Sequence, residues 1–315
     1  MTTAKPQADI PKGAPGSPQQ RKHSRYALEE LRWALLFLLP TVGSVLIFTV
    51  FPVIFSLVIS LLEWNVVQPA KFVGLSNYRN LFTDEEFTRS LRNTLQFVVG
   101  YVPGTLVSAL LIAFLLSQKI RFHKVYRAIF FFPTVISIIV ISEVWLWIYE
   151  PKYGLLNYYL GKLGLPNNIA WLGNPDLAMW SIVIMSIWAA CGYYMVLYLA
   201  GLLGIDRTLY EAASIDGADA LRKFWYITLP LLAPVTFFIL TMLVIGSFQV
   251  FGQIYVMTKG GPLHATDVVI YTIYNNAFNR FLMGRASAQA YVVGAIMFII
   301  TAIQWRFWGR GAVNE

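Results

Sequence analysis

Charge is scarce in this chain. Only 13% of its 315 residues are Asp, Glu, Lys or Arg, where a soluble domain carries about a quarter. Cysteine is almost absent: Cys191 is alone, which excludes an intramolecular disulfide and argues against a cysteine-based zinc site. The three histidines, His23, His123 and His264, stand far apart in the sequence and form no metal-ligand spacing. No glycine-rich loop ending in Gly-Lys-Ser/Thr is present to cradle a nucleotide phosphate. The chain is therefore expected to hydrolyse no ATP, to hold no metal or cofactor and to carry no catalytic residue.

What is abundant is apolar: 57% of the residues, gathered into long runs that lack charge. A helix needs about 20 such residues to cross a bilayer. Six stretches qualify, at about 33–62, 93–118, 128–149, 177–205, 231–258 and 286–306, and only the third is interrupted, by Glu143. The expected fold is all-α, a polytopic membrane protein of six transmembrane helices. Residues 1–30 are rich in Pro, Gln, Gly and Lys and read as a disordered tail. Residues 31–310 form the membrane domain, and 311–315 are a short tail. The first apolar run is too long for the h-region of a cleaved signal.

The net charge of +8 reads as basic loops rather than as a nucleic-acid footprint. With the N-terminus inside, 15 of the 24 Lys and Arg residues fall on the cytoplasmic side. Lys119, Arg121, Lys124 and Arg127 in the short second loop contribute most. Both termini are then cytoplasmic. The outer stretch 72–92 mixes charges with Leu81, Phe82, Phe87 and Leu91, a spacing that suits an amphipathic surface helix. Gly154, Gly161 and Gly164 mark a compact ordered loop at 153–172. Pro40, Pro52, Pro103, Pro133, Pro230 and Pro234 fall in or at the spans. They suit kinked helices that alternate between shapes, and equally the common occurrence of proline in membrane helices.

The cytoplasmic loop 206–230 is the most informative segment. Asp206 suits the cap of a first helix through Ser214, Gly217 a sharp turn, and Asp216 or Asp219 the cap of a second. Ala212, Ala213, Gly217, Ala218 and Ala220 keep it slender enough to enter a groove on another protein. An ordinary interfacial hairpin fits the same residues.

Here the sequence resembles a family. Glu211-Ala212-Ala213, three residues, Gly217, nine residues, Ile227, one residue, then Leu229-Pro230 matches the EAA motif of ABC importer permeases at every position. The resemblance implies that Glu211, Ala212, Ala213, Ser214, Asp216, Gly217 and Ala218, with Leu229 and Pro230, form a coupling helix and its base, docked on an ATPase subunit. Phe72-Val73-Gly74-Leu75, Asn77-Tyr78, Leu81-Phe82, Phe87, Leu91 and Asn93-Thr94 resemble a stretch of carbohydrate-uptake permeases. Val256 to Pro262 with Thr266, followed by Tyr271, Ile273-Tyr274 and Ala277-Phe278, points the same way, toward the maltose or glycerol-phosphate type of first permease. The resemblance covers about residues 34–310.

It implies a bacterial or archaeal inner-membrane permease. Its partners would be a second, homologous permease, two ATPase subunits that bind ATP and Mg, and an extracytoplasmic solute-binding protein. The last would meet the outer loops, Gly260, Gly261 and Pro262 among them. The cargo implied is a sugar, with glycerol-3-phosphate or another sugar phosphate as the alternative. Polar and aromatic residues inside spans face a pore or another helix. Trp145, Trp188, Tyr193, Tyr194, Ser247, Gln249, Gln253, Gln289 and Tyr291 are the pathway candidates, with Gln249 and Gln253 four apart on one helix face. Bonding between helices is the competing role for each. Glu143 and Trp145 lie toward the outer interface, where pore-mouth and aromatic-belt roles compete. An ion-coupled secondary transporter, usually richer in spans and intramembrane carboxylates, is the rival of a different class.

Overall fold

The computed structural model describes residues 18–118 and 121–306, so the C-terminal tail expected at 311–315 and residues 1–17 of the N-terminal tail lie outside it. Pro18–Glu30, also expected to be disordered, is instead the start of α1 (Pro18–Val45), which runs on into the first span. Its Gln, Arg, Lys, Ala, Glu and Leu residues are good helix formers, and an apolar helix that follows them supplies the nucleus that a free tail lacks.

The described residues form two compact units, one ending at Ser56 and one beginning at Leu57. In the first, α1 passes through a π-turn at Leu46–Val50 into α2 (Phe51–Ser60). Phe51 donates to the carbonyl of Leu46 just ahead of Pro52. The wider turn accommodates a ring that would otherwise clash with the carbonyl four residues back. The sequence Arg32–Ser60 is long and apolar enough to span.

The second unit opens with a hairpin of β1 (Leu62–Glu63) and β2 (Lys71–Phe72), the strand pairing seen among the described residues. Helix α3 (Ser76–Leu81) follows, and then α4 (Glu85–Ser117). The surface helix expected over 72–92 is thus divided. The second span begins at Glu85, well before residue 93, because Asp84 caps it by accepting from the Glu86 N–H, and Glu85 and Glu86 complement the helix dipole. Leu81 and Phe87 are buried while Phe82 is exposed. Asn93 donates to the carbonyls of His264 and Asp267, and Thr94 accepts from the Val269 N–H, so two segments far apart in sequence meet here. The expected compact loop at 153–172 is seen. It contains α7 (Leu155–Lys162), and Asn157 ties Pro151, Ile169 and Trp171 together.

The third span is not one rod. Helices α5 (His123–Val135) and α6 (Ile138–Ile148) meet at a bend of 101°. Pro133 lacks an N–H, and the Ile136 N–H closes on its carbonyl while Ile136 itself is extended, which ends α5 before Ser137 leads into α6. The bend is seated on α8 (Pro175–Gly204): a Cβ built on Gly192 would lie 2.0 Å from the Phe130 carbonyl, so the two backbones touch.

The fifth span is also divided, into α12 (Ala233–Phe248) and α13 (Gly252–Met257), with a break over 249–251. Helix α14 (Val269–Tyr274), a π-turn at Asn275–Asn279 and α15 (Met283–Gln304) complete the chain. Arg285 pairs with Asp84 and Glu86, and Arg280 clasps both oxygens of Glu86 at 2.8 and 2.9 Å, which fastens the start of α15 to the start of α4. The described residues hold five helices able to cross a membrane, or six with the bent pair counted as one span.

Candidate functional site

The 206–230 loop is a braced projection. Asp206 caps α9 (Arg207–Ile215), its carboxylate accepting from the Thr208 N–H. That bond, with the Thr208 hydroxyl, holds the carboxyl below its ordinary range. Gly217 follows with φ +77°, and the bonds Gly217 N–H to Ser214 O and Ala218 N–H to Ala213 O close a Schellman turn. Asp219, rather than Asp216, caps the next helix, α10 (Ala220–Lys223), by accepting from the Arg222 N–H.

A π-turn at Phe224–Thr228 then leads into α11 (Leu229–Leu231), again with the wide turn just ahead of a proline, here Pro230. Two bonds across the hairpin lock its arms. Tyr210 OH meets Thr228 Oγ1 at 2.9 Å, and Lys223 Nζ donates to Ser214 Oγ at 2.6 Å. Thr228 is buried, so the brace roots α9 at the base of the fifth span.

Glu211, Ala212, Asp216 and Gly217 are exposed, Ala213 and Ala218 half-buried. Ser214 is exposed, but its hydroxyl is committed to Lys223 and to the Tyr210 carbonyl. Leu229 and Pro230 belong to the base. Ile215 is 88% exposed beside the turn, and Leu221, Trp225 and Tyr226 are exposed along the second arm. Sequence reasoning missed this apolar rim. An isoleucine next to the turn glycine, where a solvated loop would place a polar residue, was the available signal. The bracing pair Tyr210 and Thr228 left no such signal, because only the fold brings them together.

A cavity of about 260 Å³ opens at the bend of the third span. Tyr193, Tyr194 and Gln253 line it, with Tyr101, Thr134 and Ser186, which the sequence did not single out. Gln253 Nε2 donates to Ser186 Oγ at 3.3 Å. The end of α5 and the start of α6 border the same space. The other candidates lie elsewhere. Trp188 lines a separate, apolar cavity of about 410 Å³. Trp145 packs against Trp188 and Tyr149.

Ser247 is buried and donates to the Val244 carbonyl, and Gln289 is buried and accepts from Asn276, so each makes a hydrogen bond within or between helices. Gln249 is exposed, and the break between α12 and α13 separates it from Gln253, so the expected shared face does not form. Tyr291 is half-buried and lies outside that cavity. Glu143 is exposed on α6.

Gly260, with φ +85°, Gly261 and Pro262 form a stapled turn. Thr266 reaches both the Gly261 carbonyl and the Thr258 hydroxyl. Asp267 beneath it is buried with Oδ2 3.0 Å from His264 Nδ1, and burial pushes its carboxyl above the ordinary value.

Comparison with known proteins shows the family of the chain. Residues 104–307 match the family described as binding-protein-dependent transport system inner membrane component. A probable ABC transporter permease protein of Pyrococcus horikoshii is 35% identical over 285 residues, covering 89% of this chain and 98% of that protein. The sn-glycerol-3-phosphate transport system permease protein UgpA of Agrobacterium fabrum is 36% identical over 241 residues, covering 76% and 81%. Among solved structures, a bacterial alginate ABC transporter in complex with alginate pentasaccharide-bound periplasmic protein contains a chain of the same fold. The TM-score is 0.78 at 23% identity, covering 92% of this chain and 98% of that one.

Proposed function

This chain belongs to the family of binding-protein-dependent transport system inner membrane components, the permease subunits of ABC importers, and we propose that it carries a saccharide inward by alternating access, driven through the 206–230 loop. It is a multi-pass inner-membrane transport subunit and not a catalytic enzyme. The observation that carries the proposal is the loop itself: a small-residue helix whose tip is exposed and whose base is tied by Tyr210 and Thr228 to the fifth span. A free loop would absorb a push, whereas a braced one passes it to α12.

In this reading the loop faces the cytoplasm, with both termini on that side, and Glu211, Ala212, Ala213, Asp216, Gly217 and Ala218 enter a cleft on an ATPase subunit that binds ATP and Mg. Ile215 and the apolar rim seal the contact. A second, homologous permease completes the pore. A solute-binding protein delivers cargo to the opposite face, where Gly260, Gly261 and Pro262 form a rigid contact point.

The cavity at the third-span bend supports the saccharide reading. Its polar groups are tyrosine, serine, threonine and glutamine, which pair with hydroxyls in either direction. Tyrosine rings offer flat faces for a sugar's apolar side. The main chain at the helix break adds further donors and acceptors. The Agrobacterium relative, a permease of an sn-glycerol-3-phosphate transport system, favours a second reading, glycerol-3-phosphate or another sugar phosphate.

The test is co-purification of the chain with its ATPase and binding protein, followed by stimulated ATPase activity across neutral sugars, polyols and glycerol-3-phosphate. Stimulation by a sugar, lost in Tyr194→Ala and Gln253→Leu, is expected. Stimulation by glycerol-3-phosphate alone replaces the cargo assignment, and failure of any ATPase to co-purify overturns the docking assignment.

A further inference from the structure

The cleft where α4, α8 and α9 meet has a chemistry that cargo transport does not use. It encloses about 390 Å³, a ligand-sized volume. Its lining combines polar Ser117, Gln118, Arg207 and Tyr210 with apolar Phe114 and Leu203. Both membrane helices stop here, α4 at Ser117 and α8 at Gly204. A spanning helix ends where hydrocarbon gives way to headgroups, so the cleft sits at headgroup height.

Arg207 is the telling residue. It is exposed and makes no hydrogen bond or ion pair with any described residue. Glu211, one turn along α9, does not engage it, and Asp206 is turned to the Thr208 N–H. Arg207 also occupies the first position of α9, where a cation opposes the helix dipole. Helix stability therefore does not account for it.

We propose that this cleft binds the phosphate of an anionic phospholipid, with Arg207, Gln118 and Tyr210 at the phosphate and Phe114 and Leu203 along the acyl chain. A soluble phosphate would satisfy the first set and leave the second uncovered. Anionic lipid is enriched in the cytoplasmic leaflet, so the assignment rests on the cytoplasmic placing of the 206–230 loop. Because Arg207 begins α9 and Tyr210 braces it, a bound lipid would steady the docking helix.

The experiment is native mass spectrometry of the purified full chain in detergent. The chain is titrated with phosphatidylglycerol, with phosphatidylcholine of the same acyl chains, and with inorganic phosphate as competitor. The wild type should retain phosphatidylglycerol over phosphatidylcholine. Arg207→Gln should lower that retention about fivefold, the effect of one juxtamembrane cation, and Arg207→Lys should preserve most of it. Arg222→Gln, on the exposed second arm of the loop, should leave it unchanged.

Equal retention in Arg207→Gln and wild type overturns the proposal. So does an equal loss in Arg222→Gln, or displacement of the lipid by inorganic phosphate. Co-purification of the ATPase is scored separately: its absence from the wild type refutes the docking assignment without altering the lipid measurement.

Discussion

Gly217 offers the sharpest test of the docking loop. Its φ of +77° lies in the left-handed region, and a Cβ built there meets nothing within 4 Å in this chain. Two costs can therefore be separated. The first is backbone strain: a side chain at this φ costs roughly 1–2 kcal/mol, enough to shift a local equilibrium about 5–30-fold. A β-branched residue suffers most, while asparagine tolerates the region. The second cost exists only if a partner surface occupies the open space above the turn.

The assay is binding-protein-stimulated ATPase activity of the reconstituted complex, with transport measured in parallel and membrane insertion checked by the yield of full-length chain. Gly217→Val should uncouple while inserting normally. Gly217→Asn removes most of the strain but keeps the bulk. If it uncouples as Val does, the partner fills the space; if it works, the turn geometry alone is what coupling needs. Glu211→Lys should uncouple without touching the turn. Full transport and full stimulation in both Gly217→Val and Glu211→Lys would refute the docking assignment.

Three further outcomes follow from the geometry. Tyr210→Phe, which deletes the bond to Thr228, should cost about 1 kcal/mol of local stability, read as faster amide exchange through α9 with little change elsewhere. Gly192→Ala places a methyl 2.0 Å from the Phe130 carbonyl and should abolish folding of the third span against α8, read as loss of monodisperse protein in detergent, whereas Gly246→Ala, which meets nothing within 4 Å, should be silent. The raised pKa of Asp267 means that the fold favours its neutral form. That contribution is complete below the ordinary carboxylate value near 4 and is lost as pH rises through the raised one. Asp267→Asn should flatten this part of the melting-temperature profile, and an unchanged profile would count against the buried carboxyl.

The sequence made the spans legible because a bilayer imposes length and charge exclusion on every crossing. It made the helix–turn–helix of the 206–230 loop legible because helix caps and a left-handed glycine are local chemistry, and Asp206 and Gly217 act as their residue types suggest. It could not show that the third span bends by 101°. Pro133 permits a break, but the seat for it is Gly192 on another helix. The pathway suffered for the same reason. Spacing placed Gln249 with Gln253 on an assumed continuous helix, and the break at 249–251 removed the assumption. Ser186 and Tyr101 came to the cavity only through packing. Nor could spacing distinguish Gln289, bonded to Asn276 in the interior, from a residue facing a pore.

The bend also bears on how the protein is made. At about 1.5 Å per residue, neither α5, with 13 residues, nor α6, with 11, reaches across roughly 30 Å of hydrocarbon. Only the two together, residues 128–149 with Glu143 the single charge among them, are long enough for one crossing. The bend is seated only where Gly192 of the following span meets Phe130. The expected order of events is thus an insertion directed by the segment's own residues, then a remodelling against its successor in the chain. A ribosome stalled before α8 should leave the third span straight.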